Sequence, residues 1–345
     1  MCAAGLAILL FLLLPAHSAA AAPAAADDAV AAAVAWLHTQ QRPDGGFGQP
    51  AASASATADV IYVLALIGEN PDGLAWTPAG GQSALRALAA LAPGYVQADA
   101  GQAGKVARAV ALAGGDPRSF GGLDLIAIIQ RAYDPGTGRY HPALLYRHTL
   151  AVEGLLRAGE TPPPAALQTL LNAQLADGGW FWSFDAEQSD VDSTGRVLQV
   201  LAGQAGVRDA AAFGRAAGFL CRQQLSSGGW NVGNQDGPAN ANSTALAIGG
   251  LRAAGYDPQG RAFRRAGRGA VDTLAAFQEP GGGFVYVRAP GKEESRLMAT
   301  IDALNALAQP LVRFKLEAAP AIARAVPIPN RWPARLEDWS CYRLR

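Results

Sequence analysis

Four times along this chain a helix-like apolar run ends in glutamine, and Gly-Gly and an aromatic ring follow at one fixed spacing: Gln41 to Phe47, Gln174 to Trp180, Gln224 to Trp230 and Gln278 to Phe284. A spacing kept through four copies marks one supersecondary unit used repeatedly. A unit of this kind cannot bury its apolar face alone, so the chain must stack its copies into a solenoid or close them into a ring. Composition says what the units are made of. Half of the 345 residues are hydrophobic with Ala in large excess, and only 16% are charged, as expected of closely packed helices with small residues at their contacts.

Taken in order, the chain predicts six helical pairs. AVAAAVAWLHTQQ carries Val30, Val34, Leu37 and Gln41 along one helix face and ends at RPDGGFG. SASATADVIYVLALIGEN then supplies its partner, with Ser55 or Thr57 as cap. The second pair is SALRALAALAPGYV with GKVARAVALAGGDP. The third is LDLIAIIQRAY with LYRHTLAVEGLLRAG, in which Gln130 and Tyr140 form a loosened copy of the repeat. The fourth starts at Pro162 to Pro164 and passes through Trp180 into SDVDSTGRVLQVLAGQAG. The fifth holds RAAGFLCRQQLSSGGW and NANSTALAIGGLRAAG, and the sixth RGAVDTLAAFQEPGGGF and EESRLMATIDALNALAQ. Neither end looks like a polar capping repeat. The expected fold is therefore all-α, a closed α6/α6 toroid in which the second helix of each pair lines the inside.

This toroid is expected over residues 27–314. Residues 1–26 read as a signal peptide, with the nine-residue apolar core Leu6 to Leu14, Pro15 and small residues through Ala26, although no Lys or Arg precedes the core. The core is too short to span a bilayer. The expected location is secreted or extracytoplasmic, without stable membrane insertion after cleavage. Residues 315–345 form a short irregular tail, in which Pro320, Pro327, Pro329 and Pro333 deny regular helix. Cys221 and Cys341 remain after cleavage. They either form a disulfide tying the tail to the domain or stand as one buried and one free thiol. The formal net charge of +0 argues against nucleic acid as a partner.

The stretch RAAGFLCRQQLSSGGW, Arg215 to Trp230, resembles the QW repeat of the squalene and oxidosqualene cyclases, and WLHTQQRPDGGF, Trp36 to Phe47, is a second match. The same repeat is found across a superfamily of α6/α6 toroids that includes protein prenyltransferase β subunits, complement-type thioester domains and cobalamin carriers of the transcobalamin and intrinsic-factor type. The resemblance implies that fold over nearly the whole chain before the tail, and no single chemistry. Physically, Gln at a helix end can satisfy free carbonyls there and reach a neighbouring helix, with the ring packed over it. Gln41, Phe47, Gln174, Trp180, Gln224, Trp230, Gln278 and Phe284 are accordingly read as structural.

Asp190-Val191-Asp192-Ser193-Thr194 is similar to the Asp-x-Asp-Asp acid motif of class II terpene cyclases, except that Ser193 replaces the third acid. If the chain is an enzyme, Asp190 and Asp192 are its catalytic candidates. The equivalent positions of other units read S-A-S-A-T, Ser53 to Thr57, and N-A-N-S-T, Asn240 to Thr244. Asp, Ser and Asn interchange most naturally at a helix N-cap, so capping is the preferred reading. The zinc-site pattern of the prenyltransferases and the Cys-Gly-Glu-Gln thioester are absent, and His141 with His148 lacks further metal-ligating partners. No metal and no cofactor is expected. The closing stretch is similar to that of the cobalamin carriers, without their second domain.

The loop after Trp180, WFWSFDAEQS, sets Trp182 and Phe184 beside Asp185 and Glu187, a combination suited to a sugar or another ring ligand. Asn240, Asn242 and Tyr286, with Arg288, come from the corresponding loops of later units. The sequence thus points to an exported toroid that binds an unidentified small molecule or protein at one mouth without catalysis. The alternative is a terpenoid-cyclase-like or carbohydrate-active enzyme using rim carboxylates.

Overall fold

The computed structural model describes residues 22–97, 99–204, 209–233, 237–288 and 296–308. Most of the leader, all of the tail and Cys341 lie outside the described residues. Twelve α-helices follow in order: α1 Ala22–Gln40, α2 Ala54–Leu66, α3 Ala84–Val96, α4 Ala100–Leu112, α5 Leu125–Arg131, α6 Leu145–Arg157, α7 Pro164–Asn172, α8 Val191–Ala202, α9 Ala210–Gln223, α10 Ala241–Ala253, α11 Ala270–Ala275 and α12 Arg296–Ala308. Among the described residues there is no strand, only isolated bridges in the turns.

The even-numbered helices form an inner ring. α2 packs on α4, α4 on α6, α6 on α8, α8 on α10, α10 on α12, and α12 returns to α2. Burial separates the two layers. α2, α4, α6 and α10 are buried on nearly every face, whereas α7 buries only Ala166, Leu167 and Leu170. The ring is the closed toroid that the repeat predicts.

Each Gln of the repeat acts as a clasp between neighbouring outer elements. Gln41 Nε2 donates to the carbonyls of Gly45 and Trp76, Gln174 to Gly178 and Ala212, and Gln224 to Gly228 and Phe263. Gln278 donates to Gly282 and to Ala29 in α1, which joins the last hairpin to the first. Phe47, Trp180, Trp230 and Phe284 are fully buried, as staples of the turn must be. Their backbone N–H groups donate to Thr57, Thr194, Thr244 and Thr300 at the start of the next inner helix. In the loosened third unit, His148 takes the threonine's place: its Nδ1 accepts from the Tyr140 N–H at 3.1 Å, and Nε2 sits 3.0 Å from the Ala166 carbonyl. Burial lowers the His148 pKa to about 4, so this ring is neutral, with Nε2–H donating.

Glycine sets how closely two pairs of inner helices approach. A Cβ on Gly104 would lie 2.2 Å from the Leu150 carbonyl oxygen, and one on Gly154 would lie 2.5 Å from the Gly104 Cα, so α4 and α6 touch backbone to backbone. Gly195 and Gly250 bring α8 and α10 together in the same way, with a Cβ on Gly195 2.3 Å from the Leu246 carbonyl oxygen. The ring therefore contains two tight slabs, α4/α6 and α8/α10. The α6/α8 seam between them is looser.

Candidate functional site at the mouth of the ring

A half-open pocket of about 280 Å³ lies at that looser seam, where the N-termini of α6 and α8 reach one mouth of the ring. α6 contributes Leu145, Tyr146 and Thr149, and α8 contributes Asp192, Ser193, Arg196 and Val197 with the capping Asp190. The loop after Trp180 closes one side with Phe181 and Trp182, and Val232 and Leu246 close another. Three of the five large apolar side chains most exposed among the described residues belong to this pocket: Tyr146 at 43%, Trp182 at 51% and Val232 at 49%. The Trp182 carbonyl accepts from the Tyr146 N–H at 3.0 Å, and the Phe181 and Trp182 ring centroids are 5.4 Å apart, so the aromatic wall is held in place.

The two aspartates of D-V-D-S-T do different work. Asp190 is the N-cap of α8, accepting from the Ser193 N–H at 2.6 Å and from the Ser193 hydroxyl at 2.8 Å. Ser53 and Asn240 cap α2 and α10 in the same register. Asp192 faces the pocket from the first turn of α8, and its Oδ1 is buried without a hydrogen-bond partner. Burial raises its pKa to about 6, and the Asp190 charge adds to the rise, while the Ser243 hydroxyl and Arg196 oppose it. The corresponding third positions of other units also face inward. Ser55 accepts from Lys105 at 2.8 Å, and Asn242 donates to Asp302 at 2.6 Å.

Beneath the pocket the axis of the ring is filled with charge. Asp59 of α2 pairs with Lys105 at 2.6 Å and with Arg108 at 2.8 Å, both from α4, and Arg108 pairs with Glu153 of α6 at 2.7 Å. The Arg108 guanidinium also lies 4.5 Å from the Tyr62 ring centroid. Burial works to raise the Glu153 pKa, but Arg108 and the more distant Arg196 and Arg157 outweigh it and hold the carboxylate ionised. Arg196 is within electrostatic reach of Tyr62, Glu153, Asp192 and Asp302, contributed by α2, α6, α8 and α12. Asp302 is buried, and burial raises its pKa to about 6. These paired charges make the inside of the ring polar along this stretch.

The other residues singled out by sequence fall in several places. Phe184 is turned under its loop, 5.7 Å from the His148 ring and beneath the Arg139 guanidinium at 3.9 Å, and it does not line the pocket. Asp185 and Glu187 are exposed and also lie outside the pocket lining. Asn240 is buried as a cap. The Tyr286 carbonyl accepts from the Ala241 N–H, and burial and then the Asp192 charge raise the pKa of its phenol, which places it beside the site. His141 Nδ1 accepts from the Ala143 and Leu144 N–H groups, and no three metal-ligating side chains converge among the described residues. Cys221 is buried near the end of α9 with Sγ 3.3 Å from the Ala262 carbonyl; its pairing with Cys341 falls outside the described residues. No described helix is long and apolar enough to cross a membrane. Tyr146, Arg196, Val232 and Asp302 were not foreseen. The available signal for Arg196 and Asp302 was a charge in the middle of an inner helix.

In sequence, no protein-family model matches the chain and no curated protein is similar to it. In structure it is similar to the type II terpene cyclase MstE from Scytonema, with a TM-score of 0.57 and 15% identity over 83% of this chain and 97% of that one. A variant of that enzyme in complex with geranylgeranyl dihydroxybenzoate, its substrate, matches equally well, with a TM-score of 0.57 and 15% identity. The ent-copalyl diphosphate synthase from Streptomyces platensis follows at a TM-score of 0.51 and 18% identity, over 74% of this chain and 50% of that one. The fold is the α/α toroid of the terpenoid cyclases.

Proposed function

We propose that the protein is an exported, non-catalytic toroid that binds a small molecule in the mouth pocket between α6 and α8. The observation that carries this reading is the pairing of an exposed aromatic wall, Trp182 and Tyr146, with an unpartnered buried carboxyl oxygen on Asp192. Apolar walls with one or two convergent polar groups are the usual form of a ligand site, and about 280 Å³ stands near the small end of such sites. The charged axis beneath supports binding over cyclisation, because Asp59, Lys105, Arg108 and Glu153 already occupy the inside of the ring as buried pairs, and a long isoprenoid folded there would have to displace those partners.

One observation favours a second reading. Asp192 occupies the position of the second acid in D-x-D, carries a raised pKa and faces the pocket, while the structural neighbours are type II terpene cyclases. A carboxylic acid held protonated is what proton-initiated cyclisation requires. Two measurements on the purified chain separate the readings. Mass spectrometry of copurifying small molecules should find a ligand that is lost in Trp182→Ala. Incubation with geranylgeranyl dihydroxybenzoate should return it unchanged; a cyclised product made by the wild type and not by Asp192→Asn would overturn the non-catalytic assignment.

A further inference from the structure

We infer that the ligand of this pocket is an organic ammonium ion, its charge on Asp192 and its carbon body against Trp182 and Tyr146. The inference rests on the mouth-pocket reading above and adds the chemical class. Among the described residues, every ion pair within 4.0 Å engages other carboxylates, and none involves Asp190, Asp192 or Asp302. Arg196 is the cation lining the pocket, and it is divided between Glu153, Asp192 and Asp302 without an ion pair to any of them. The Asp192 carboxylate therefore keeps a buried oxygen that no donor meets. A neutral ligand can at most donate a hydrogen bond to that oxygen and brings no countercharge, and an anion meets two aspartates. An ammonium group supplies both the missing N–H donor and the missing countercharge. The aromatic wall adds to the same preference, because the faces of Trp182, Tyr146 and Phe181 are electron-rich surfaces that attract a cation.

The groups facing Asp192 are Asp190 at the start of its own helix, Arg196 one turn further, Ser243 from α10, Tyr286 from the loop before α12, and Asp302 from α12. Of these, Asp192 and Asp302 take up protons near pH 6. Binding of a cation is then coupled to proton release. Its affinity is high above that pH and falls below it.

The test is isothermal titration of the folded, ligand-stripped protein with probes that share one ring and differ in charge: benzylammonium, benzyltrimethylammonium, benzyl alcohol and benzoate. At pH 7.5 benzylammonium is expected to bind at least about tenfold more tightly than benzyl alcohol, with benzoate weakest. At pH 5 the preference for benzylammonium should shrink by about tenfold while the alcohol is unaffected. Asp192→Asn should erase the difference between ammonium and alcohol. Trp182→Ala, at a side chain exposed enough to leave folding intact, should weaken every probe that binds. Equal binding of alcohol and ammonium overturns the ammonium assignment and leaves the mouth pocket standing. Failure of all four probes to bind overturns both.

Discussion

Asp302→Asn should make the protein more stable at neutral pH. Asp302 is 7% exposed on α12 and has one hydrogen-bond donor, Asn242 Nδ2 at 2.6 Å. Burial raises its pKa from 3.8 to about 6; Arg196 and Asn242 oppose the rise, and Asp59 and Asp192 add to it. The folded protein thus holds this proton more tightly than the unfolded chain does. Its contribution to stability is largest below about pH 4, falls as pH rises towards 6, and is fully lost above that. A rise of that size corresponds to about 3 kcal/mol. The substituted amide would still accept from Asn242 and would carry no charge. Urea unfolding at pH 8 should therefore show the variant more stable by about 3 kcal/mol, with an unchanged denaturant slope, and the gain should vanish at pH 4. If the variant is no more stable than the wild type at pH 8, or its advantage there is no larger than at pH 4, the axis solvates this carboxylate and the account of its charge is wrong.

Two further substitutions test the frame around the site. Gly104→Ala places a methyl group 2.2 Å from the Leu150 carbonyl oxygen and must force α4 from α6, at a cost of about 1–3 kcal/mol or more, read as a lowered thermal midpoint. Asp190→Ala removes the α8 cap and should cost about 1 kcal/mol, whereas Asp190→Asn keeps an accepting oxygen for the Ser193 N–H and should cost a few tenths. Chemical denaturation of the two Asp190 variants side by side makes the comparison.

Most of the architecture could be read in the sequence because the element that builds it is local. Gln174, Gly178 and Trp180 lie within six residues of one another, so the turn and the local half of the clasp follow from that spacing, and repetition of the unit brings the second acceptor, Ala212, into place. The site was less legible because its members are distant in the chain. Comparing S-A-S-A-T, D-V-D-S-T and N-A-N-S-T correctly describes the first position as a cap, and Ser53, Asp190 and Asn240 all serve there. The same comparison misses the third position. Ser55, Asp192 and Asn242 point away from the helix end into the ring, where the roles of Ser55 and Asn242 depend on Lys105 and Asp302, roughly fifty to sixty residues further along. Phe184 shows the opposite failure. Composition placed it with Trp182 on the rim, but the loop turns between them, so one ring faces the mouth and the other covers His148 and Arg139.

The clasp from Gln278 to Ala29 reaches beyond its two hydrogen bonds. A linear stack of hairpins has a first and a last member that fray independently of the middle. Here the seam between α11 and α1 is made with the same groups as the seam between α9 and the turn before α11, so the first and last hairpins are not free ends of the stack. Opening the ring anywhere removes an interface from two hairpins at once. The molecule is therefore expected to lose its fold as a whole. By the same reasoning, new termini introduced at another outer turn, with the old ones joined, would leave every inner-helix seam unchanged.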